Sequence, residues 1–158
     1  MMFRLRKTSP LDILNSRLFD DLTFYTAFIR DLKAAKAEVI IESPYMTTAR
    51  LRTLAPVLKK LVRRGVKVRV HTRNPVHHDE LLRIQARLVV KSLKEMGVRV
   101  FFYNNYLHRK IAVIDNRVMW EGSLNIMSQS NSCEFMRRIE SEKLTKQLIK
   151  FLDLRSLY

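Results

Sequence analysis

Glycine, proline and cysteine are all scarce in this chain, at three, four and one among 158 residues. So few glycines and prolines leave no room for a low-complexity linker, and the length suits one domain over residues 1–158. A lone cysteine, Cys133, excludes an intramolecular disulfide framework and a cysteine-cluster zinc site. It also points to a reducing compartment, the cytoplasm. Acidic residues are short as well: 15 Asp+Glu face 30 Lys+Arg, a net charge of +15. No fold needs that imbalance, and self-repulsion lowers stability, so an anionic partner is expected. No stretch approaches the ~20 apolar residues of a membrane-spanning helix. The basic start (Arg4, Arg6, Lys7) is not followed by the apolar segment of a secretory signal. What remains is 47% hydrophobic and 28% charged residues, a composition that excludes disorder. About 70% of the extended-chain surface should be buried in a fold of this size.

Periodicity divides the chain into alternating elements. Leu18, Leu22, Tyr25, Ile29 and Leu32 step by three and four, predicting a helix from the start of that run. Glu38–Glu42 reads as a short buried strand stopped by Ser43-Pro44. Residues 49–64 read as helical, with Pro56 either opening a second short helix or kinking the first. Val66–Val70 alternates as a strand, 78–96 is the longest helical stretch, and Val98–Phe102 is the next strand. Gly65 and Gly97 each stand between a helix and a Val-x-Val strand, where a helix ends in the left-handed region. This weak repeat argues for an α/β fold. Lys110–Asp115 and Arg117–Trp120 are two further strands around a tight Asp115-Asn116 turn, Glu134–Ile139 is another, and Ser141 caps a last helix through Leu152. The expected architecture is a mixed, mostly parallel sheet flanked by helices on both faces.

The chemistry concentrates between residues 108 and 125. Side chains two apart in an extended strand point the same way, so His108 faces with Lys110, and Ser123 with Asn125. A hairpin at Asp115-Asn116 sets these pairs side by side. An imidazole, an ammonium, a hydroxyl and an amide then converge as one nucleophile or base beside three donors for anionic oxygen. That set suits a phosphodiester and contains no metal-ligand group, so neither a metal nor another cofactor is expected.

The spacing His-x-Lys-x4-Asp-x6-Gly-Ser-x-Asn, met by His108, Lys110, Asp115, Gly122, Ser123 and Asn125, resembles the signature of the phospholipase D superfamily. Asn131-Ser132-Cys133-Glu134 is similar to the family's Asn-Ser-x-Glu segment, so the resemblance spans about residues 37–140. It implies a sheet sandwiched by helices and two-step cleavage through a phosphohistidine. His108 would attack phosphorus in line while a second imidazole protonates the leaving oxygen. Lys110 and Asn125 would hold the non-bridging oxygens. Ser123 would help place the phosphate or support its neighbours, Asp115 and Gly122 would support the motif, and Glu134 would accept from His108 and set its tautomer.

Other polar residues have plainer readings. His71 at a strand end can line the cleft, whereas His77-His78 lacks partners at metal-ligand spacing. Arg83, Arg87, Lys91 and Lys94 form a narrow basic stripe, either a solvated face or a track for a phosphate backbone. Tyr106 reads as a packing residue or a surface on which a base could stack. Three functions follow: a metal-independent nuclease, a phospholipase acting on anionic phospholipid, and a non-catalytic DNA-binding module of a larger machine. Charge and the lack of an obvious apolar-faced helix favour nucleic acid, DNA before RNA, with no stable membrane insertion. A single motif supplies only one imidazole of the required pair, which implies a homodimer sharing one site on its two-fold axis.

Overall fold

Two helix–Gly–strand units build the parallel part of the sheet. The computed structural model describes residues 15–128 and 132–156. In it, β2 (Glu38–Glu42), α2 (Thr48–Arg63), β3 (Lys67–Arg73), α3 (Glu80–Glu95) and β4 (Arg99–Tyr103) follow in turn, after β1 (Ser16–Asp20) and α1 (Phe24–Ala34). A short 3-10 turn, Pro75–His77, precedes α3. The chain then returns through β5 (Ile111–Ile114), β6 (Val118–Gly122), β7 (Phe135–Glu140) and α4 (Glu142–Leu152). The seven strands order as β1-β7-β6-β5-β2-β3-β4.

The expected mixed sheet between helices is present, but its parallel share is smaller than expected. Only β2–β3 and β3–β4 are parallel, while β2–β5, β5–β6, β6–β7 and β1–β7 are antiparallel. The reason is connection length: parallel neighbours need a crossover, and only α2 and α3 provide one. Past β4 no helix links one strand to the next, and β5 turns directly into β6 through Asp115, Asn116 and Arg117. At the first two of these the backbone is left-handed. Both have positive φ, +52° and +54°, as the turn favoured in tight hairpins requires.

Helices cover the two faces unequally. Phe24, Phe28 and Leu32 of α1, Leu54, Leu58 and Leu61 of α2, and Val89 and Leu93 of α3 share one core with Val39, Ile41, Val68 and Val70. On the other face Ile40, Ile111 and Val113 pack with Ile149 of α4 and with Leu154. Alternation along β2 therefore serves both layers. α2 runs unbroken through Pro56, started by Thr47, whose hydroxyl accepts from the Arg50 N–H. Ser141 caps α4 by accepting from the Leu144 N–H, as expected.

The first helix starts later than the periodicity suggests. Asp20 Oδ1 accepts from the Thr23 N–H and hydroxyl at 2.9 and 2.6 Å, a turn that ends β1 and launches α1. Leu18 therefore lies in an edge strand and Leu22 in the turn, 64% and 84% exposed. Phe19, Phe24 and Phe28 instead ring Trp120, with centroids 5.0, 5.2 and 6.0 Å away. Buried Trp120 donates to Asp31, which also accepts from Arg138 at 2.7 Å.

The Asp115 carboxylate closes the far end of β5. It accepts from the backbone N–H groups of Lys36, Ala37 and Glu38 at 2.8, 2.8 and 3.0 Å. Burial works to raise its pKa, but these donors and the Arg117 charge overcome it and hold the carboxyl below its ordinary value of 3.8. A group whose folded pKa is depressed adds stability above its unfolded pKa and loses it as pH falls through the folded one. Asp115→Asn should thus cost about 1–2 kcal/mol at neutral pH. In urea melts the gap from wild type should shrink as pH drops below 3.8. A constant gap down to strong acid would show that the carboxylate is not the stabilising group.

Candidate active site

The motif residues gather where β5 begins. Ile111 pairs with both Glu42 and Glu121, so Lys110 and Gly122 stand next to each other at one end of the hairpin, beside the C-terminal end of β2. Leu107, 6% exposed, anchors the preceding loop, and the loop's next three side chains diverge. His108 is exposed and has no side-chain hydrogen bond among the described residues. Lys110 is 8% exposed, and its ammonium donates to the His108 carbonyl at 2.6 Å. Burial lowers the Lys110 pKa and the nearby Glu134 charge works against that shift.

The donors after β6 rest on a braced backbone. Gly122 pairs with Met136, and a Cβ there would lie 2.2 Å from the Phe135 carbonyl oxygen, so no other residue fits. The Ser123 N–H donates to that oxygen at 3.0 Å, and its hydroxyl accepts from the Phe135 N–H at 3.2 Å. Ser123 thus supports its neighbours, with its hydroxyl hydrogen left to donate. Tyr25 donates its hydroxyl to the Ile126 carbonyl, and Met127 donates its N–H to buried Ser43 at 3.0 Å. Between these ties sits half-buried Asn125, whose Oδ1 is buried and unbonded among the described residues. Glu134 accepts from Ser132 at 3.4 Å, and the expected hydrogen bond from His108 to Glu134 is not made. Asp115 lies at the opposite end of β5, away from this cluster. Asn131 and the basic start of the chain lie outside the described residues.

Sequence reasoning missed the group on the reverse side of the motif strand. Arg109, between His108 and Lys110, points the other way by simple alternation. Its guanidinium closes on Glu42 with Nε at 2.7 Å and Nη2 at 3.0 Å, and the Tyr103 hydroxyl donates to the same carboxylate at 3.1 Å. The Glu42 side chain is fully buried and His71 Nδ1 lies 3.6 Å away. Burial would raise the Glu42 pKa, but His71 and Arg109 outweigh it and the carboxyl titrates below its ordinary value. Burial and the Glu42 charge push the Tyr103 phenol up to about 12. One signal was available: an acidic residue inside an apolar strand demands a buried cation. His71, 0% exposed with its ring against Phe101, does not line the cleft.

The basic stripe on α3 also differs from expectation. Arg83 donates to the His78 carbonyl, Lys91 stands 4.0 Å from Glu95, and Arg87 is exposed. Beside them Leu81, Ile84 and Leu88 are 75%, 51% and 52% exposed. An apolar-faced helix, thought lacking, is therefore present. Periodicity hid it because α3 carries apolar residues on two sides, and only packing shows which side the sheet covers. Among the described residues no helix is long and apolar enough to cross a membrane. An open cleft of about 520 Å³, lined by Tyr103, Asn105, Tyr106, Leu107, His108 and Arg109, adjoins the motif.

A mixed sheet carrying a His-x-Lys segment and a Gly-Ser-x-Asn segment at one hairpin end defines the phospholipase D superfamily. Residues 28–154 match the family described as cardiolipin synthase, phospholipase D-like domain, and the chain belongs to it. Cardiolipin synthase A of Buchnera aphidicola is 29% identical over 108 residues, 67% of this chain but 21% of that protein. The chain thus spans about a fifth of that curated relative. Two solved structures share the fold. Nuc of Salmonella typhimurium, a phospholipase D family member, has a TM-score of 0.74 at 15% identity, covering 88% of this chain and 92% of that one. NucT of Helicobacter pylori has 0.68 at 18% identity, covering 87% and 92%.

Two measurements test this electrostatic arrangement. Arg109→Met strands the buried Glu42 charge and should lower stability by about 3 kcal/mol. Adding Glu42→Gln should recover much of that loss, and simple additivity in denaturant melts would mean the two do not act as a pair. NMR titration of the Lys110 ammonium should give a pKa below the ordinary lysine value. Glu134→Gln should lower it further, because it removes the one charge that opposes the burial effect. An unchanged titration would separate Glu134 from Lys110.

Proposed function

We propose that this chain is a phosphodiesterase that cleaves nucleic acid, DNA before RNA, through a phosphohistidine on His108. The observation that carries the reading is the exposed His108 imidazole beside buried Lys110 in a chain of net charge +15. The imidazole forms the P–N bond as the bond from phosphorus to the leaving oxygen breaks, and an acid on the opposite side supplies that oxygen's proton. Water then attacks phosphorus, the P–N bond breaks, and the same opposite group takes the water's proton. Lys110 and Asn125, with Ser123, meet the non-bridging oxygens in a partly dry setting, where each donor counts most. On this reading Glu134 turns to His108 when substrate binds and sets its tautomer.

The acid must be a second imidazole. A single His-x-Lys motif supplies one imidazole, so the reading gives the role to His108 of a second copy across a two-fold axis; were the chain active as a monomer, the role would fall to buried His71 or to His77, exposed on the turn before α3. The exposed apolar residues of α3 supply surface for such a contact. Arg83, Arg87 and Lys91 would track the nucleic-acid backbone. Cys133 is free and exposed, in keeping with the cytoplasm.

The same α3 surface favours a second reading. Leu81, Ile84 and Leu88 flanked by arginines and lysine form the amphipathic pattern of a helix that lies on an anionic bilayer, and cardiolipin synthase A is a relative by sequence. A phospholipid diester would use the same His108 and Lys110 chemistry.

The deciding experiment offers the protein single- and double-stranded oligonucleotides and anionic phospholipid vesicles, all with EDTA. Oligonucleotide cleavage should proceed with the chelator present. It should vanish in His108→Ala and fall on the order of 10²–10³-fold in Lys110→Ala and Asn125→Ala. Turnover of the vesicle lipid alone would establish the second reading, and a requirement for magnesium would remove the phosphohistidine route.

A further inference from the structure

We infer that Tyr106 is a stacking platform for the unpaired nucleobase next to the scissile phosphate. This rests on the nucleic-acid reading and goes beyond it, because it names single-stranded substrate and a binding residue outside the motif. Tyr106 is 84% exposed, far more than an aromatic ring needs for packing. It is nonetheless held. The Leu107 N–H donates to the Asn105 carbonyl at 2.8 Å, a tight turn that throws the intervening side chain outward while buried Leu107 anchors the loop. Asn74 ties the base of the loop to β3 through the Tyr103 carbonyl at 2.9 Å and the Asn104 side chain at 2.9 Å.

One face of the ring is already taken. The Arg73 guanidinium carbon lies 4.6 Å from the ring centroid, and Arg73 is itself fixed by donating to the His77 carbonyl at 3.0 Å. At 84% exposure the other face is open to solvent and, among the described residues, has no aromatic or cationic partner. The ring lines the same cleft as His108, two residues along, within about 7 Å of chain. A polynucleotide whose phosphate meets His108 therefore brings an adjacent base to a preorganised aromatic face. Stacking on it is indifferent to base identity, because every base offers a π-face. It does require that the base be unpaired, since in a duplex both faces are already stacked. A phospholipid offers no planar group for this position, so the feature separates the two substrate classes.

The test is equilibrium binding of a short single-stranded oligonucleotide to the full chain, compared with the same strand carrying one abasic position beside the target phosphate. Wild type should bind the intact strand about tenfold more tightly, a step of about 1.4 kcal/mol. Tyr106→Ala should bind both alike, and Tyr106→Trp should restore the preference. At 84% exposure the ring adds little to the packing, and circular dichroism of each variant checks the fold. Equal binding of intact and abasic strands by wild type, or a preference that survives in Tyr106→Ala, would overturn the platform and leave the nucleic-acid reading standing. Binding of neither strand would overturn both.

Discussion

The Arg109 guanidinium closed on the buried Glu42 carboxylate is the contact on which the placement of the His-x-Lys segment depends. Residues 104–110 form no ladder of their own, and Leu107 is the only one of them besides Lys110 that is buried. Taking Glu42 out of water is costly, and three donors or charges, Arg109, Tyr103 and His71, offset that cost. With Arg109 drawn to this side, Lys110 turns inward and its ammonium meets the His108 carbonyl, while the His108 side chain stays exposed. Lys110 completes the brace from the site side by capping the His108 carbonyl.

The two ends of β5 divide the labour. Asp115 gathers three backbone donors at one end and stabilises the hairpin with its charge held in a network of N–H groups. At the other end the Asn125 Oδ1 is buried and, among the described residues, unbonded, and Lys110 is desolvated, while His108 is exposed. Native proteins seldom tolerate such groups without a use for them. A bound phosphodiester's oxygens would accept from the Lys110 ammonium and the Asn125 amide N–H, whereas the Asn125 Oδ1 needs a donor that a phosphodiester does not carry. The motif thus has Asp115 at one end of β5 and the His108–Lys110 segment at the other, kept apart by four buried apolar residues, with Ser123 and Asn125 following β6.

Charge and apolar surface then act at different ranges. A net +15 draws any polyanion toward the protein. On the two proposed readings, the aromatic face of Tyr106 in the cleft, or the apolar residues of α3 outside it, would select among polyanions. Both surfaces lie outside the motif, so members of one family can keep the same chemistry and differ in substrate through loop and helix faces.

Much of this was legible in the chain. The six spaced residues made the family resemblance legible because they sit at fixed offsets on the two arms of one hairpin. Gly65 and Gly97 mark two helix ends, with φ of +80° and +90°. Asp115-Asn116 marks the hairpin because both residues tolerate the left-handed conformation. These are local constraints, so sequence alone determines them. Packing decided the rest. Leu18 lies in a strand because β7 offers an edge and the Asp20–Thr23 turn intervenes. His71 is walled in by Glu42 and Phe101, which are distant in sequence. Which side of α3 faces water, and which acid receives Arg109, depend on contacts between segments tens of residues apart. Periodicity and spacing carry no record of such contacts, so only the tertiary structure could settle them.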